Sequence, residues 1–193
     1  MISFFLRQLK FFLFLALCSL FMAGCAQDIR SFKDTNTEIS LVQRIAVLPF
    51  ENHTKTQLVE NRLRDIVTTE ILSSGLFAVV AGGDVQRFLD EEVGKQTTIL
   101  TSSMAKRLGR ELGVSAYLVG AVDMYEEKRN GSYSYPVVAM TLQLIEVQSG
   151  NIIWQASGSE SGYTTGSRIF GFASDDFNRV SFALAQKLLQ TMY

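Results

Sequence analysis

The chain has 193 residues, 47% of them hydrophobic, and its 18 basic and 19 acidic side chains leave a formal net charge of −1. With no stripe of Lys and Arg rising above the acidic background, the balance argues against a nucleic-acid partner. Two cysteines and one histidine are too few for a disulfide framework or a His/Cys metal centre, and no cofactor is expected.

The first element is a short cationic stretch (Arg7, Lys10) followed by an apolar run from Phe11 to Phe21 and then Met22-Ala23-Gly24-Cys25. Charge, apolar core and small residues in that order form a secretory signal, and the run falls short of the about 20 residues that a spanning helix needs. Small Ala23 and Gly24 fit a peptidase groove and leave the Cys25 thiol placed to accept a lipid. The pattern resembles the bacterial lipoprotein signal, with Met22 where Leu is commoner. The expected organisation is a signal over 1–24, a lipidated Cys25 with its tether over 25–42, and one periplasmic domain over 43–193. Cleavage removes Arg7, Lys10 and no acid, which brings the net charge to about −3. It also discards Cys18, and a thioether at Cys25 leaves no free thiol. In enteric bacteria an Asp after the lipidated cysteine retains lipoproteins in the inner membrane; Ala26 stands there instead, which favours the outer membrane. Gln27 to Ser40 is polar and aperiodic and reads as the tether.

The domain opens with Arg44 to Phe50, a short apolar run ended by Pro49 and the look of a buried strand. After a polar loop, Val59, Leu63, Ile66, Val67 and Ile71 recur at helical spacing on one face, and Gly75 stops the helix. Leu76 to Val80 reads as a second strand and completes a βαβ unit. Two further helices are expected. One carries Val85, Phe88 and Leu89, is capped by Asp84 and ends in Asp90-Glu91-Glu92. The other carries Met104, Leu108 and Leu112, is capped by Ser102 or Ser103 and is closed by Gly113. Three strand-like runs follow, Tyr117 to Met124, Pro136 to Val147 and Ile152 to Ser157, the last two joined by a tight turn at Gln148 to Asn151. Apolar residues on both faces of the middle run mark a central strand. A final helix stacks Phe177, Val180, Leu184 and Leu188 behind a cap at Ser174 or Asp175. The fold class is α/β: helices on a mixed sheet, with a βαβ start, an antiparallel three-strand segment and a C-terminal helix.

Catalysis is not expected. Gly82-Gly83 lacks the Lys-Ser/Thr of a phosphate loop and reads as the start of a helix. His53 lies in a loop after a strand, without a cysteine partner, a second histidine or a nucleophile-elbow glycine pattern. Glu126-Glu127 and Asp175-Asp176 are sequence neighbours, which on a strand face opposite ways. Two stretches look suited to contact instead. Acid concentrates at Asp123, Glu126 and Glu127, diluted by Lys128 and Arg129. Gly162 to Phe172 combines glycines with Tyr163, Phe170 and Phe172, side chains suited to a membrane interface, a subunit contact or the underside of the last helix. Trp154 reads as core.

Arg44 to Asn52 (RIAVLPFEN), Ser74 to Phe77 (SGLF) and Leu112 to Val122 (LGVSAYLVGAV) resemble the CsgG-like superfamily of periplasmic lipoproteins. Pro136 to Gly150 (PVVAMTLQLIEVQSG) and Ile152 to Ser159 (IIWQASGS) are similar to its PelC-like branch, from Pel exopolysaccharide export. Channel-forming members insert two hairpins per subunit into the membrane, and such strands need about 9–11 residues each. Tyr125 to Tyr135 and Ser159 to Ser174 are too short for that. The PelC-like resemblance implies a homo-oligomeric ring, dodecameric in that family, beside an outer-membrane barrel partner, with an acidic funnel facing a cationic polysaccharide. It implies Asp90, Glu91, Glu92, Asp123, Glu126 and Glu127 as candidate guiding acids and Tyr163, Phe170 and Phe172 as candidate membrane contacts, against outer-membrane lipid. The alternatives are another secretion accessory of the superfamily and a lipoprotein regulator of a peptidoglycan synthase. Such regulators carry long tethers, whereas about 15 residues at ~3.3–3.6 Å each reach near 50 Å.

Overall fold

The computed structural model describes residues 29–35, 37–92, 100–131, 133–163 and 175–193. The signal, Cys25, Phe170 and Phe172 lie outside the described residues, as does the side chain of Glu92.

Seven strands form one mixed sheet: β1 (Arg30–Lys33), β2 (Arg44–Val47), β3 (Glu51–Asn52), β4 (Ala78–Val79), β5 (Ala116–Asn130), β6 (Tyr133–Glu146) and β7 (Ile152–Ser161). Their order is β1-β7-β6-β5-β2-β4, with β3 continuing the line of β2 along β5. Four helices occur among the described residues: α1 (Val59–Ser74), α2 (Gly82–Glu92), α3 (Ser102–Leu112) and α4 (Phe177–Leu189). Strands β2 and β4 are parallel with α1 between them, the expected βαβ unit. Strands β5, β6 and β7 form the expected antiparallel segment.

Alternation along the strands sends side chains to two separate cores. Ile45 and Val47 of β2, Leu118 and Val122 of β5, Met140 and Leu142 of β6 and Trp154 of β7 lie under α1 and α4. Ala46, Leu48, Tyr117 and Val147 face the other way, under α2 and α3. The α1 stripe is buried throughout, and Gly75 ends the helix at φ 67°, a left-handed value that favours a residue without Cβ. Trp154 is fully buried, and its Nε1 donates to Thr191 Oγ1 at 3.0 Å. That burial bears out the core reading.

Several boundaries differ from expectation. Helix α3 is capped by Thr101, whose hydroxyl accepts from the Met104 amide at 3.4 Å, and α4 by Asp176, which accepts from the Arg179 amide at 2.8 Å. Helix α2 starts at Gly82, so Asp84 sits inside its first turn, where a carboxylate suits the positive end of the helix, and pairs with Arg87 at 2.6 Å. The stretch from Tyr125 to Tyr135 is no loop: β5 and β6 stay paired out to Asn130↔Tyr133. The cross-strand ladder carries the polar sequence outward beyond the core.

The tether reading is also corrected. Strand β1 pairs antiparallel with β7, from Arg30↔Ser157 to Lys33↔Trp154. A 3-10 turn over Ile39–Leu41 follows, and Ile39 and Val42 are buried in the larger core. Residues 30–33 carry no apolar periodicity because an edge strand with every side chain exposed needs only backbone partners.

Candidate functional site

The sheet has two ends. At one lie the β5–β6 turn, the close of β7, the start of β1, strand β3 and the N-terminus of α4; at the other lie the β6–β7 turn and the starts of β2, β4 and β5. The candidate acids divide between them. Glu91 shares a surface depression with Arg44, Glu111 and Leu112 near the starts of β2 and β5. Asp123, Glu126 and Glu127 lie far along β5, at least seven residues and about 20 Å further at strand rise. Asp90 accepts from Gln86 Nε2 at 2.9 Å on the exposed side of α2. One subunit therefore does not gather the six acids into one patch.

Three of the acids border one groove, though not from a single face of β5. A groove of about 640 Å³ is lined by His53 to Thr56 from the β3–α1 loop, Asp123 to Glu127 from β5, and Phe177 at the start of α4. A bulge between Val122 and Met124 shifts the β5 register, which leaves Val122 in the core and Asp123 on the exposed side. Asp123 accepts from Thr141 Oγ1 at 2.8 Å and lies 3.2 Å from His53 Nδ1. The other ring nitrogen, Nε2, lies 3.4 Å from Glu51 Oε2. Both imidazole nitrogens thus face carboxylates, and neither is aimed at a hydroxyl it could activate. Beyond Asp123, Glu126 pairs with Lys128 at 3.5 Å. Glu126 and Glu127 leave opposite faces of the strand, as their adjacency requires.

Asn52 shapes the loop over this groove. Its Nδ2 donates to Thr56 O and to Glu60 Oε2, both at 2.8 Å, while its Oδ1 accepts from the Thr54 amide at 2.9 Å. The loop ends in Leu58, which caps α1 at φ 61° and is 70% exposed. A left-handed leucine held out to solvent is a strained and conspicuous feature. On the groove floor Tyr125 stacks on Phe177 with ring centroids 4.4 Å apart. Burial raises the pKa of its phenol, Arg62 lowers it and Asp176 raises it again.

Tyr163 packs against Tyr135 at 4.9 Å and edge-on against Tyr133 at 5.7 Å, beside the far end of the β5–β6 hairpin. Glu51, Leu58, Tyr133 and Tyr135 are the residues that sequence reasoning missed. Only Leu58 left a signal, an apolar residue in a polar loop and out of phase with the α1 stripe. Among the described residues no three His, Cys, Asp or Glu side chains converge to hold a metal ion. No helix among them is long and apolar enough to cross a membrane.

Fold and groove together define an α/β domain of helices on a mixed sheet, with a polar groove bordered by β5, the β3–α1 loop and the start of α4. The family model for the peptidoglycan-synthase activator LpoB matches residues 26–159. The chain belongs to the LpoB family. No curated protein matches the sequence. Among solved structures, the PelC dodecamer from Paraburkholderia phytofirmans is 19% identical with a TM-score of 0.60, over 86% of this chain and 97% of that one. Lipoprotein GNA1162 from Neisseria meningitidis is 16% identical with a TM-score of 0.54, over 77% and 97%. At these identities the two show a shared fold.

Proposed function

We propose that this chain is a lipoprotein, anchored at Cys25 in the outer membrane, whose periplasmic domain acts by binding and stimulating a peptidoglycan synthase. The observation that carries the reading is the family match, which runs from just after Cys25 through most of β7. It takes in the whole of β5 and the β3–α1 loop, and so most of the acidic groove. In this reading the groove and the strained Leu58 beside it form the partner-binding surface. Carboxylates along the groove, with an exposed leucine two residues beyond its Thr56 wall, suit a partner that offers basic groups beside an apolar one.

A second reading is favoured by the PelC likeness, which extends over nearly the whole of that chain. Here the domain would assemble as a homo-oligomeric ring beside a barrel partner and assist export of a cationic polysaccharide. Twelve mature chains at about −3 each would carry roughly −36, enough to concentrate a polycation. Screening over about 8–10 Å confines the effect to acids at the opening. Asp123, Glu126 and Glu127 would act as one set and Asp90, Glu91 and Glu92 as another. Tyr163, Phe170 and Phe172 would be the membrane contacts of such a ring.

One experiment separates the two. The mass of the domain from Ala26 to Tyr193 is measured by light scattering across concentration, free and tethered to liposomes, and the same samples are added to a purified synthase. A monomer that stimulates the synthase, with stimulation reduced at least tenfold by Leu58→Asp, supports the activator. A discrete assembly of many subunits that leaves the synthase unchanged overturns it in favour of the ring.

A further inference from the structure

We infer that β1 is a releasable strap, which sets how far the domain stands from its anchor. The inference rests on the Cys25 anchor proposed above. Strand β1 has four residues, all exposed, on the outer edge of the sheet. Its one aromatic, Phe32, is 54% exposed and belongs to neither core. The strand is held by its backbone pairing with β7, continued by the Asp34 amide to Ile153 O at 3.0 Å. Side chains add to the grip, among them Lys33, whose Nζ donates to Met192 O at 2.7 Å, and Ile29, which packs against Gly158 and the margin of the larger core.

The next attachment is of a different kind. Ile39 and Val42 are buried in the larger core, so the chain there cannot leave without opening the domain. A short edge strand with solvated side chains opens locally, at a small part of the free energy of global unfolding. The chain thus has a weak first attachment followed by a firm second one.

The consequence is a change in reach. With β1 docked, Arg30 stands five residue steps from Cys25, which allows about 17 Å at ~3.3–3.6 Å per residue. With β1 released, the first fixed point is Ile39, fourteen residues from the anchor, and the same arithmetic gives about 48 Å. Docked, the domain is held close to its membrane, as a ring beside a barrel requires. Released, it extends towards a partner.

The test uses the full lipidated chain in proteoliposomes. Amide exchange is followed at Asp34 and in the β7 amides that face β1, against those at the centre of β5 and β6. The strap reading expects exchange at least tenfold faster at the β1–β7 pair, with no dependence on low urea. Equal rates with equal urea dependence would mean that β1 opens only with the whole domain, and the inference would fall. The second arm is a reversible staple, Ser31→Cys with Ala156→Cys, at directly opposed positions. Energy transfer between a label on the β6–β7 turn and a lipid dye should lengthen on reduction of the staple, towards the unstapled value. An unchanged distance counts against the strap. Failure of the wild-type protein to float with the vesicles counts against the anchor instead, and the exchange arm would still decide whether β1 releases.

Discussion

The two faces of the sheet bury unequal cores. Beneath α1 and α4 the larger one takes side chains from β2, β5, β6 and β7 and draws in Ile39 and Val42 from the chain after β1. Beneath α2 and α3 the smaller one takes β2, β5, the edge at Val80 and the end of β6, and leaves the middle of β6 and β7 to polar residues. There Gln143 donates to Gln155 at 3.1 Å, and the Thr141 and Ser157 hydroxyls hydrogen-bond at 3.0 Å across the pair. The difference separates two jobs. One face holds the fold together, while the other, among the described residues, packs helices over part of its area and leaves the polar middle of β6 and β7 half-buried.

Truncating one buried leucine on each side breaks that comparison most directly. Leu184 on α4 and Leu108 on α3 are both fully buried. Leu→Ala in a core costs about 2–5 kcal/mol, with the spread set by how far the site collapses. Leu184→Ala is expected near the upper end and to lower the urea midpoint of the whole domain. Leu108→Ala is expected nearer the lower end, with α2 and α3 losing amide protection before β5 and β6. Coincident loss of protection in the Leu108 variant would show the two cores to be one cooperative unit.

Two glycines sharpen the comparison at smaller cost. A Cβ on Gly120 would meet three atoms of the Phe50 ring at 2.8 Å, and one on Gly109 would meet Val147 Cγ1 at 2.5 Å and Val114 O at 3.0 Å. Overpacking a tight site costs about 1–3 kcal/mol. Gly120→Ala should show nearly all of it, since strand β5 and the buried Phe50 ring leave little room to yield. Gly109→Ala should show less, because alanine inside a helix recovers about 0.5–1 kcal/mol over glycine. Denaturant midpoints of the two variants give the order; a larger loss for Gly109→Ala would place the stiffer packing under α3.

Much of this was legible in the sequence, wherever packing is periodic. Val59 to Ile71 and Phe177 to Leu188 announced their buried stripes, and the central place of β6 followed from apolar residues on both of its faces. What stayed hidden depends on partners distant in sequence. Strand β1 is polar apart from Phe32, and its pairing with β7 joins Arg30 to Ser157, a contact that no local pattern encodes. The acidic groove was legible in part, since Asp123, Glu126 and Glu127 stood out as charge. The clamp of His53 between Glu51 and Asp123 was not, because it needs β3 laid beside β5 and a bulge at Asp123. The split of the acids between the two ends of the sheet was hidden for the same reason: sequence shows charge, and topology decides which charges share a field.

The smallest expected effect lies at high pH and again compares the faces. Tyr117 belongs to the smaller core, and burial raises its pKa from the ordinary value of 10.0. Tyr125 packs at the margin of the larger core, and burial raises its pKa too, with Asp176 adding to the rise and Arg62 opposing it. In the unfolded chain each phenol ionises near 10, whereas the folded state holds its proton longer. The stabilisation from each is therefore complete below pH 10 and is lost as pH rises from there through the folded value. Tyr117→Phe removes the ionisable group and keeps the ring, so the fall in urea midpoint between pH 9 and pH 11 should be shallower than in the parent. Tyr125→Phe should flatten it less, because Arg62 already favours the phenolate there. Equal slopes in the parent and Tyr117→Phe would mean that the smaller core admits water readily enough to solvate the phenolate, and that the boundary between the faces is softer than its packing implies.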